Sequence, residues 1–179
     1  MSRKLEAGPK ALLSEVKIRQ RVRELGAQIT QDYKGKDLVV VCVLKGSFIF
    51  FADLIRCIDL PISCEFMGVS SYGSGTVSSG EVKITLDLTE PVQGRHILIV
   101  EDIVDSGLTM KYLVNNLTTR KPASIRCASL LVKPESVENE VDVEYTGFQI
   151  GKEFVIGYGL DYAGRFRQLP YVGIFEQEN

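Results

Sequence analysis

Residues 97–109 read ILIVEDIVDSGLT, in which four apolar residues are followed at once by Glu101, Asp102 and Asp105 and then by a Ser-Gly-Leu-Thr run. The apolar run predicts a core strand, and the residues after it lead into the helical sequence LTMKYLVNNLTTR (108–120). Carboxylates are costly near a hydrophobic strand end unless something pairs with them. The stretch therefore predicts a strand, a turn and a helix, with a group of carboxylates at the end of the strand that needs a binding partner.

The rest of the chain alternates strand-like and helix-like segments. Ser14 can cap a helix whose apolar face repeats every three or four residues, and 46–58 is a second helical stretch. The predicted strands are 38–44, 62–69, 81–88, 96–102, 124–133, 143–150 and 154–160. This βαβ alternation predicts an α/β fold with a largely parallel sheet and helices on both faces. Ligands in such sheets bind beyond the carboxyl ends of the strands.

Length and charge limit the classes of protein to consider. At 179 residues the chain is expected to be one domain. A net charge of −2 and a pI near 5.6 give no electrostatic footprint for nucleic acid or for an anionic membrane. No apolar run approaches membrane-spanning length, and the N-terminal residues lack the apolar core of a signal peptide. We therefore expect a cytoplasmic protein with neither nucleic-acid nor membrane partners.

The cysteines and the histidine show no metal-binding pattern. Cys42, Cys57, Cys64 and Cys127 form no C-x-x-C, and His96 is the only histidine. Reduced, structural thiols are the expected state, as in cytosolic proteins.

Polar clusters follow the predicted strands at Lys45-Gly46-Ser47, at 101–109 and at Lys133. Backbone N–H groups of 105–109 at a helix N-terminus suit a phosphate monoester, and the P-loop lysine is missing. Glu101 and Asp102 can accept hydrogen bonds from sugar hydroxyls or hold a hydrated Mg²⁺. A ribose 5-phosphate satisfies both halves, whereas ordinary N-capping by Asp105 or Ser106 explains the same spacing equally well. An aspartyl phosphatase would want D-x-D, and a receiver domain would not need this Ser-Gly-Thr turn.

The segment VEDIVDSGLT (100–109) resembles the phosphoribosyl-diphosphate (PRPP) motif of the type I phosphoribosyltransferases. The similarity covers nearly the whole chain and is greatest to the bacterial hypoxanthine/guanine phosphoribosyltransferases. It is carried by four further motifs in the family's order: VLKGSF (43–48), SSYGSGT (70–76), LLVKP (130–134) and EFVIGYGLDYAGRFRQLPYVG (153–173).

The resemblance implies a type I phosphoribosyltransferase fold, a mostly parallel twisted sheet flanked by helices with a small hood over the active site. One domain would span 1–179, with a core of about 14–148 and a hood of about 149–179 that the N-terminal residues can join. The implied reaction transfers ribose 5-phosphate from PRPP to N9 of hypoxanthine or guanine and releases pyrophosphate, with Mg²⁺ required. A homodimer or homotetramer is expected.

The resemblance also assigns roles. Asp105, Ser106, Gly107, Leu108 and Thr109 would bind the 5′-phosphate, and Asp105 would serve as the acid or base at purine N7. Glu101 and Asp102 would face the ribose and metal waters, and Asp161 would bind Mg²⁺ beside the base. Lys45 and Gly46, after a cis Leu44–Lys45 peptide, and Arg167 would bind pyrophosphate. Lys133, Phe154 and Val155 would hold the purine, with Lys133 bonded to its O6. Ser71 and Tyr72 would belong to a lid, since 70–80 is rich in Ser and Gly.

Each of these positions has an ordinary structural alternative. Lys45-Gly46-Ser47 can be a glycine turn with Ser47 as a helix cap, Phe154 a core residue, and Asp161 a turn aspartate. Arg167 can be a solvated charge, and Lys133 can extend to solvent. The functional alternatives are a xanthine/guanine phosphoribosyltransferase and a PRPP-sensing regulator that binds RNA or DNA. The chain departs from the family pattern at two places. It has Gly151-Lys152 where Pro-Asp is usual, and Leu86 where lysine is common. Neither difference affects a position that is given a role in the site.

Overall fold

The computed structural model describes residues 9–71 and 82–175. Three α-helices and nine β-strands occur along these two ranges. In chain order they are β1 Lys10–Leu13, α1 Glu15–Asp32, β2 Leu38–Leu44, α2 Phe48–Ile55, β3 Ile62–Ser71, β4 Val82–Leu86, β5 His96–Val104, α3 Leu108–Thr118, β6 Ser124–Val132, β7 Tyr145–Gln149, β8 Val155–Ile156 and β9 Val172–Ile174.

The main sheet has six strands in the order β4-β3-β2-β5-β6-β7. Strand β4 runs antiparallel to its neighbour, and the other strand pairs are parallel. Strand β2 alternates its side chains between two cores, since Val40 and Cys42 pack with α1 and α2 while Val39 and Val41 pack with α3. The predicted parallel α/β fold with helices on both faces is confirmed.

A second, small sheet joins the two ends of the described chain. Its strands are antiparallel in the order β1-β9-β8, with Lys10 opposite Ile174 and Val155 opposite Ile174 on the other side. Strands β1 and β9 were not predicted, because strands of three or four residues with partners far away along the chain carry no periodic signal. The predicted strand 154–160 is wrong beyond Ile156, since Gly157, Tyr158 and Gly159 all have positive φ.

The cysteines are all free, as expected. Burial raises the pKa of Cys42 to about 11 and that of Cys127 to about 12, so both remain thiols in the core. Cys64 is exposed, which corrects the expectation that every cysteine is structural. Within 9–71 and 82–175, no helix combines the length and the hydropathy that a membrane crossing requires.

Candidate active site

The three polar clusters meet at one edge of the main sheet. Strands β2, β5 and β6 are neighbours and parallel, so their carboxyl ends bring together the turn after Leu44, the loop after Val104 and Lys133. The approach is tight, because a Cβ added to Gly46 would overlap the Asp102 carboxylate. Any larger residue at position 46 would therefore displace the Asp102 carboxylate from this contact.

The loop 105–107 turns directly into α3. Gly107 is the N-cap residue, with φ of 80° and no side chain, and Asp105 makes no capping bond, so the capping alternative is limited to Ser106. The Ser106 hydroxyl accepts a long bond of 3.4 Å from the Leu108 N–H. A cavity of about 100 Å³ lies over this helix N-terminus and is lined by Glu101 and residues 103–110. Such a cavity at a helix N-terminus suits an anion.

Hydrogen bonds from residues 138–139, which belong to no sequence motif, also hold the loop 105–107 in place. The Ser106 carbonyl accepts bonds from the Glu138 N–H at 3.2 Å, the Asn139 N–H at 3.0 Å and Asn139 Nδ2 at 3.2 Å. The stretch around Asn139 is acidic and irregular in sequence, and only its proximity in the fold identifies it as a support of this loop.

Glu101 and Asp102 form an acidic pair near the end of β5, with Glu101 buried and Asp102 half-buried. Glu101 is 8% exposed, and its Oε2 has no hydrogen-bond partner within the described chain. Burial, with the Asp102 charge second, raises the pKa of Glu101 well above its usual range, and burial raises that of Asp102. An unpartnered carboxylate oxygen beside a second acid suits a hard cation. Mg²⁺ commonly takes one or two carboxylates plus waters and substrate oxygens, so no cage is needed, and the described residues contain none.

Replacing Glu101 with Gln is expected to stabilise the unliganded protein at pH 8. Because the pKa of Glu101 is raised in the folded state, the fold is favoured below the ordinary value of 4.5 and loses stability as the pH rises through the folded pKa. Removing this penalty should raise the free energy of unfolding at pH 8. Urea denaturation at pH 8 and at pH 4.5 measures the gain and its disappearance.

Glu65 is the matched control for this substitution. It is as buried, at 7% exposure, but its carboxylate accepts bonds from the Thr89 N–H at 3.1 Å and the Thr89 hydroxyl at 3.0 Å. Glu65→Gln should give no gain, since it weakens a satisfied acceptor. A Glu101→Gln protein less stable than the native chain at pH 8 would refute the account of a strained acidic pair.

Lys133 is buried at 8% exposure and does not extend to solvent. Its Nζ lies 3.3 Å from Asp105 Oδ2, and the Asp105 side chain is 56% exposed. The structure thus brings the two residues predicted to contact the purine ring within reach of each other, one buried and one facing the open side.

The turn after β2 departs from a simple capped turn. The Leu44–Lys45 peptide is cis, as the resemblance implies. Ser47 is fully buried, and its hydroxyl donates to the Val43 carbonyl at 2.5 Å and makes no capping bond to α2. Ser47 therefore occupies the N-cap position of α2, as the alternative has it, but its side chain does not cap the helix. Lys45 is exposed.

The C-terminal segment contributes an aromatic group that is not core. Phe154 is 52% exposed, and its ring meets Tyr162 at 5.9 Å and Phe175 at 6.1 Å in edge-on geometry. Tyr162 and Phe175 stack at 4.3 Å. Neither partner was predicted, because both lie away from Phe154 along the chain. Val155 is 5% exposed, within β8.

Asp161 and Arg167 pair with each other. Their closest atoms, Oδ1 and a guanidinium nitrogen, are 2.6 Å apart. Asp161 Oδ2 also accepts the Gly164 N–H at 2.7 Å, so the turn-aspartate alternative is present in the structure. The second terminal nitrogen of Arg167 donates to the Gly159 carbonyl at 2.6 Å. Ser71 ends β3, and Tyr72 and the rest of the expected lid lie outside the described residues.

Comparison with known proteins finds relatives whose names agree with one another. The chain is 50% identical over 167 residues to the hypoxanthine-guanine phosphoribosyltransferase of Bacillus subtilis, covering 93% of each chain. It is 49% identical over 169 residues to the bifunctional protein TilS/HprT of Listeria monocytogenes, and it spans 26% of that protein's length. A crystal structure of a hypoxanthine phosphoribosyltransferase from Staphylococcus aureus superposes with a TM-score of 0.90 at 46% identity, covering 93% of this chain and 91% of that one.

The family model described as the phosphoribosyl transferase domain matches residues 10–163. That range contains the cis turn, the acidic strand end with its loop, and Lys133, which the fold gathers at one sheet edge. The chain therefore belongs to the phosphoribosyl transferase domain family.

Proposed function

We propose that this chain is a purine-salvage transferase that moves ribose 5-phosphate from PRPP to N9 of hypoxanthine and guanine, giving IMP and GMP. The observation that carries the proposal is the buried Lys133 ammonium, 3.3 Å from Asp105 at the mouth of the anion-binding loop. A donor-only group beside a carboxylate suits a base with a carbonyl at C6 and a proton to lose from the ring. Relatives named hypoxanthine-guanine phosphoribosyltransferase support it.

In the proposed complex the loop 105–109 binds the 5′-phosphate through its backbone N–H groups and hydroxyls. Glu101 and Asp102 accept bonds from the ribose hydroxyls, and their negative charge stabilises the positive charge that develops on the sugar. Mg²⁺, when bound, would neutralise pyrophosphate oxygens, and the unpartnered Glu101 Oε2 and the Asp161 carboxylate are the groups suited to hold it or its waters.

Separate groups of residues are proposed to bind pyrophosphate and the purine base. Lys45, Gly46 and the Arg167 guanidinium are proposed to bind pyrophosphate, since a guanidinium fork matches phosphate oxygens. Phe154, half exposed, would stack on the purine, and the Val155 backbone would bond its edge. Asp161, now paired with Arg167, would exchange that partner for the metal when pyrophosphate takes the guanidinium.

Initial rates with PRPP and Mg²⁺ against five bases test the proposal. Hypoxanthine and guanine should be used, whereas adenine and orotate should not, because neither presents a purine O6 to Lys133. A rate on xanthine above that on hypoxanthine would instead support a xanthine/guanine enzyme. PRPP binding without turnover of any base would refute the transferase and favour a regulator.

Assembly and compartment belong to the same proposal. We expect a homodimer or homotetramer, which light scattering would measure. Phe48 and Phe66, each 43% exposed, support this as aromatic side chains available to an interface. The free cysteines support a reducing compartment such as the cytoplasm.

A further inference from the structure

Tyr158 joins the C-terminal segment to helix α2. Its side chain is 5% exposed, and its hydroxyl donates to Asp53 Oδ2 at 2.6 Å. Burial, with the bond to Asp53 second, raises the pKa of Tyr158, so the phenol remains a donor. Asp53 also accepts from Arg56, the residue that follows the helix. A buried hydroxyl without a partner is costly, so this bond specifies where the segment sits.

Asp53 lies on the helix that begins directly after the turn 45–47. Helix α2 begins at Phe48, immediately after that turn, and the Phe51 N–H donates to the Ser47 carbonyl at 2.8 Å. Asp53 lies on the next turn of the same short helix. Because consecutive helical hydrogen bonds connect Asp53 to Ser47, the position of Asp53 constrains the position of the turn proposed to bind pyrophosphate.

On the other side of the bond, Tyr158 is followed along the chain by the residue that holds Arg167. The next residue, Gly159, uses both its backbone groups on this arginine: its N–H donates to the Arg167 carbonyl at 2.9 Å, and its carbonyl accepts from the Arg167 guanidinium at 2.6 Å. Gly159 has φ of 104°, and a Cβ there would overlap the Gly46 carbonyl. Tyr158 is therefore bonded to the helix that follows the turn and is the chain neighbour of the residue that contacts both Gly46 and Arg167.

We propose that Tyr158 and Asp53 are positioning residues that set the separation between the Lys45-Gly46 turn and Arg167. The inference rests on the proposed function. The purine side is held independently, because Val155 pairs within the small sheet and the Phe154 carbonyl accepts the Phe175 N–H at 2.9 Å. Loss of the bond should weaken the pyrophosphate end of the site and spare the purine end.

Kinetics of Tyr158→Phe in both reaction directions test this separation. The KM for PRPP, and that for pyrophosphate in the reverse reaction, should each rise about tenfold, the usual effect of losing a hydrogen bond to a charged group. The KM for hypoxanthine should stay within about twofold. Tyr33→Phe is the matched control, since Tyr33 is 1% exposed and its hydroxyl has no partner within the described chain. It should change none of the three constants.

Variants of Asp53 are the second arm of the test, because they change the acceptor of the same hydrogen bond. Asp53→Asn keeps an acceptor and should keep most of the PRPP affinity, whereas Asp53→Leu should match Tyr158→Phe. The double variant Asp53→Leu/Tyr158→Phe should be no worse than either single one, because both remove the same bond. This arm also tests the inference if Tyr158→Phe fails to fold.

The inference is overturned if an active enzyme carries Tyr158→Phe with unchanged KM for PRPP and pyrophosphate, or with an equal rise in the KM for hypoxanthine. An inactive wild-type chain would refute the proposed function instead. Calorimetric titration with pyrophosphate and Mg²⁺ would then decide the inference alone: binding about tenfold weaker in Tyr158→Phe than in wild type supports it, and equal binding refutes it.

Discussion

Asp105→Asn should lower kcat by about 10²–10⁴, the range for losing a general acid or base. The Asp105 carboxylate is 56% exposed on the open side of the loop, and it contacts the buried Lys133 ammonium. An amide has the same shape and still accepts a bond from Lys133, but it cannot take a proton from the purine ring. Single-turnover rates with PRPP and hypoxanthine measure the loss.

Binding of PRPP should survive this substitution, because the phosphate loop depends on backbone N–H groups and on the Ser106 carbonyl contacts behind it. Asp37→Asn is the matched control. Asp37 is an exposed carboxylate paired with Arg95, near the amino end of β2 and away from the site edge. It should leave kcat unchanged. A kcat of Asp105→Asn within about threefold of wild type would remove the acid–base role from Asp105.

The parts of the fold that sequence patterns predicted are those whose cause is local. The strand ending near Val104, the turn at Gly107 and helix α3 lie within one short stretch, and apolar periodicity specifies them. That neighbouring parallel strands end at one edge then follows from the βαβ rule, so the meeting of Lys45, Asp105 and Lys133 was predictable.

What the sequence could not predict depends on partners distant along the chain. The small sheet pairs Lys10 with Ile174, and Tyr158 bonds Asp53, yet neither pair has a periodic or spacing signal. The Asp161–Arg167 pair illustrates another limit. Motif similarity assigned a separate ligand to each residue, Mg²⁺ to Asp161 and pyrophosphate to Arg167. In the structure the two opposite charges pair with each other instead. A sequence motif carries no information about such a pairing.

Lys133→Met should reduce kcat/KM for hypoxanthine and guanine by about 100-fold or more. A hydrogen bond to a charged group contributes about 1.5–3 kcal/mol, and this one should strengthen as negative charge builds on the purine in the transition state. Methionine matches the lysine stem in length and suits a site that is 8% exposed, so the fold should be retained. Asp105 is exposed enough to be hydrated once its partner is gone, so PRPP affinity should change little.

The same ammonium should make the wild-type enzyme reject adenine by about 10⁴, since the 6-amino group of adenine presents a donor to a donor and gives Lys133 no acceptor in place of O6. Lys152→Met is the matched control, because Lys152 is 71% exposed and its ion pair to Glu135 is 3.9 Å long. It should keep full activity on both 6-oxopurines. Wild-type turnover of adenine at a rate near that of hypoxanthine, or full 6-oxopurine activity in Lys133→Met, would show that another group selects the base. If the wild type turns over adenine, the buried lysine would serve only to orient Asp105, and the Met variant would lose rate equally on adenine and on the 6-oxopurines.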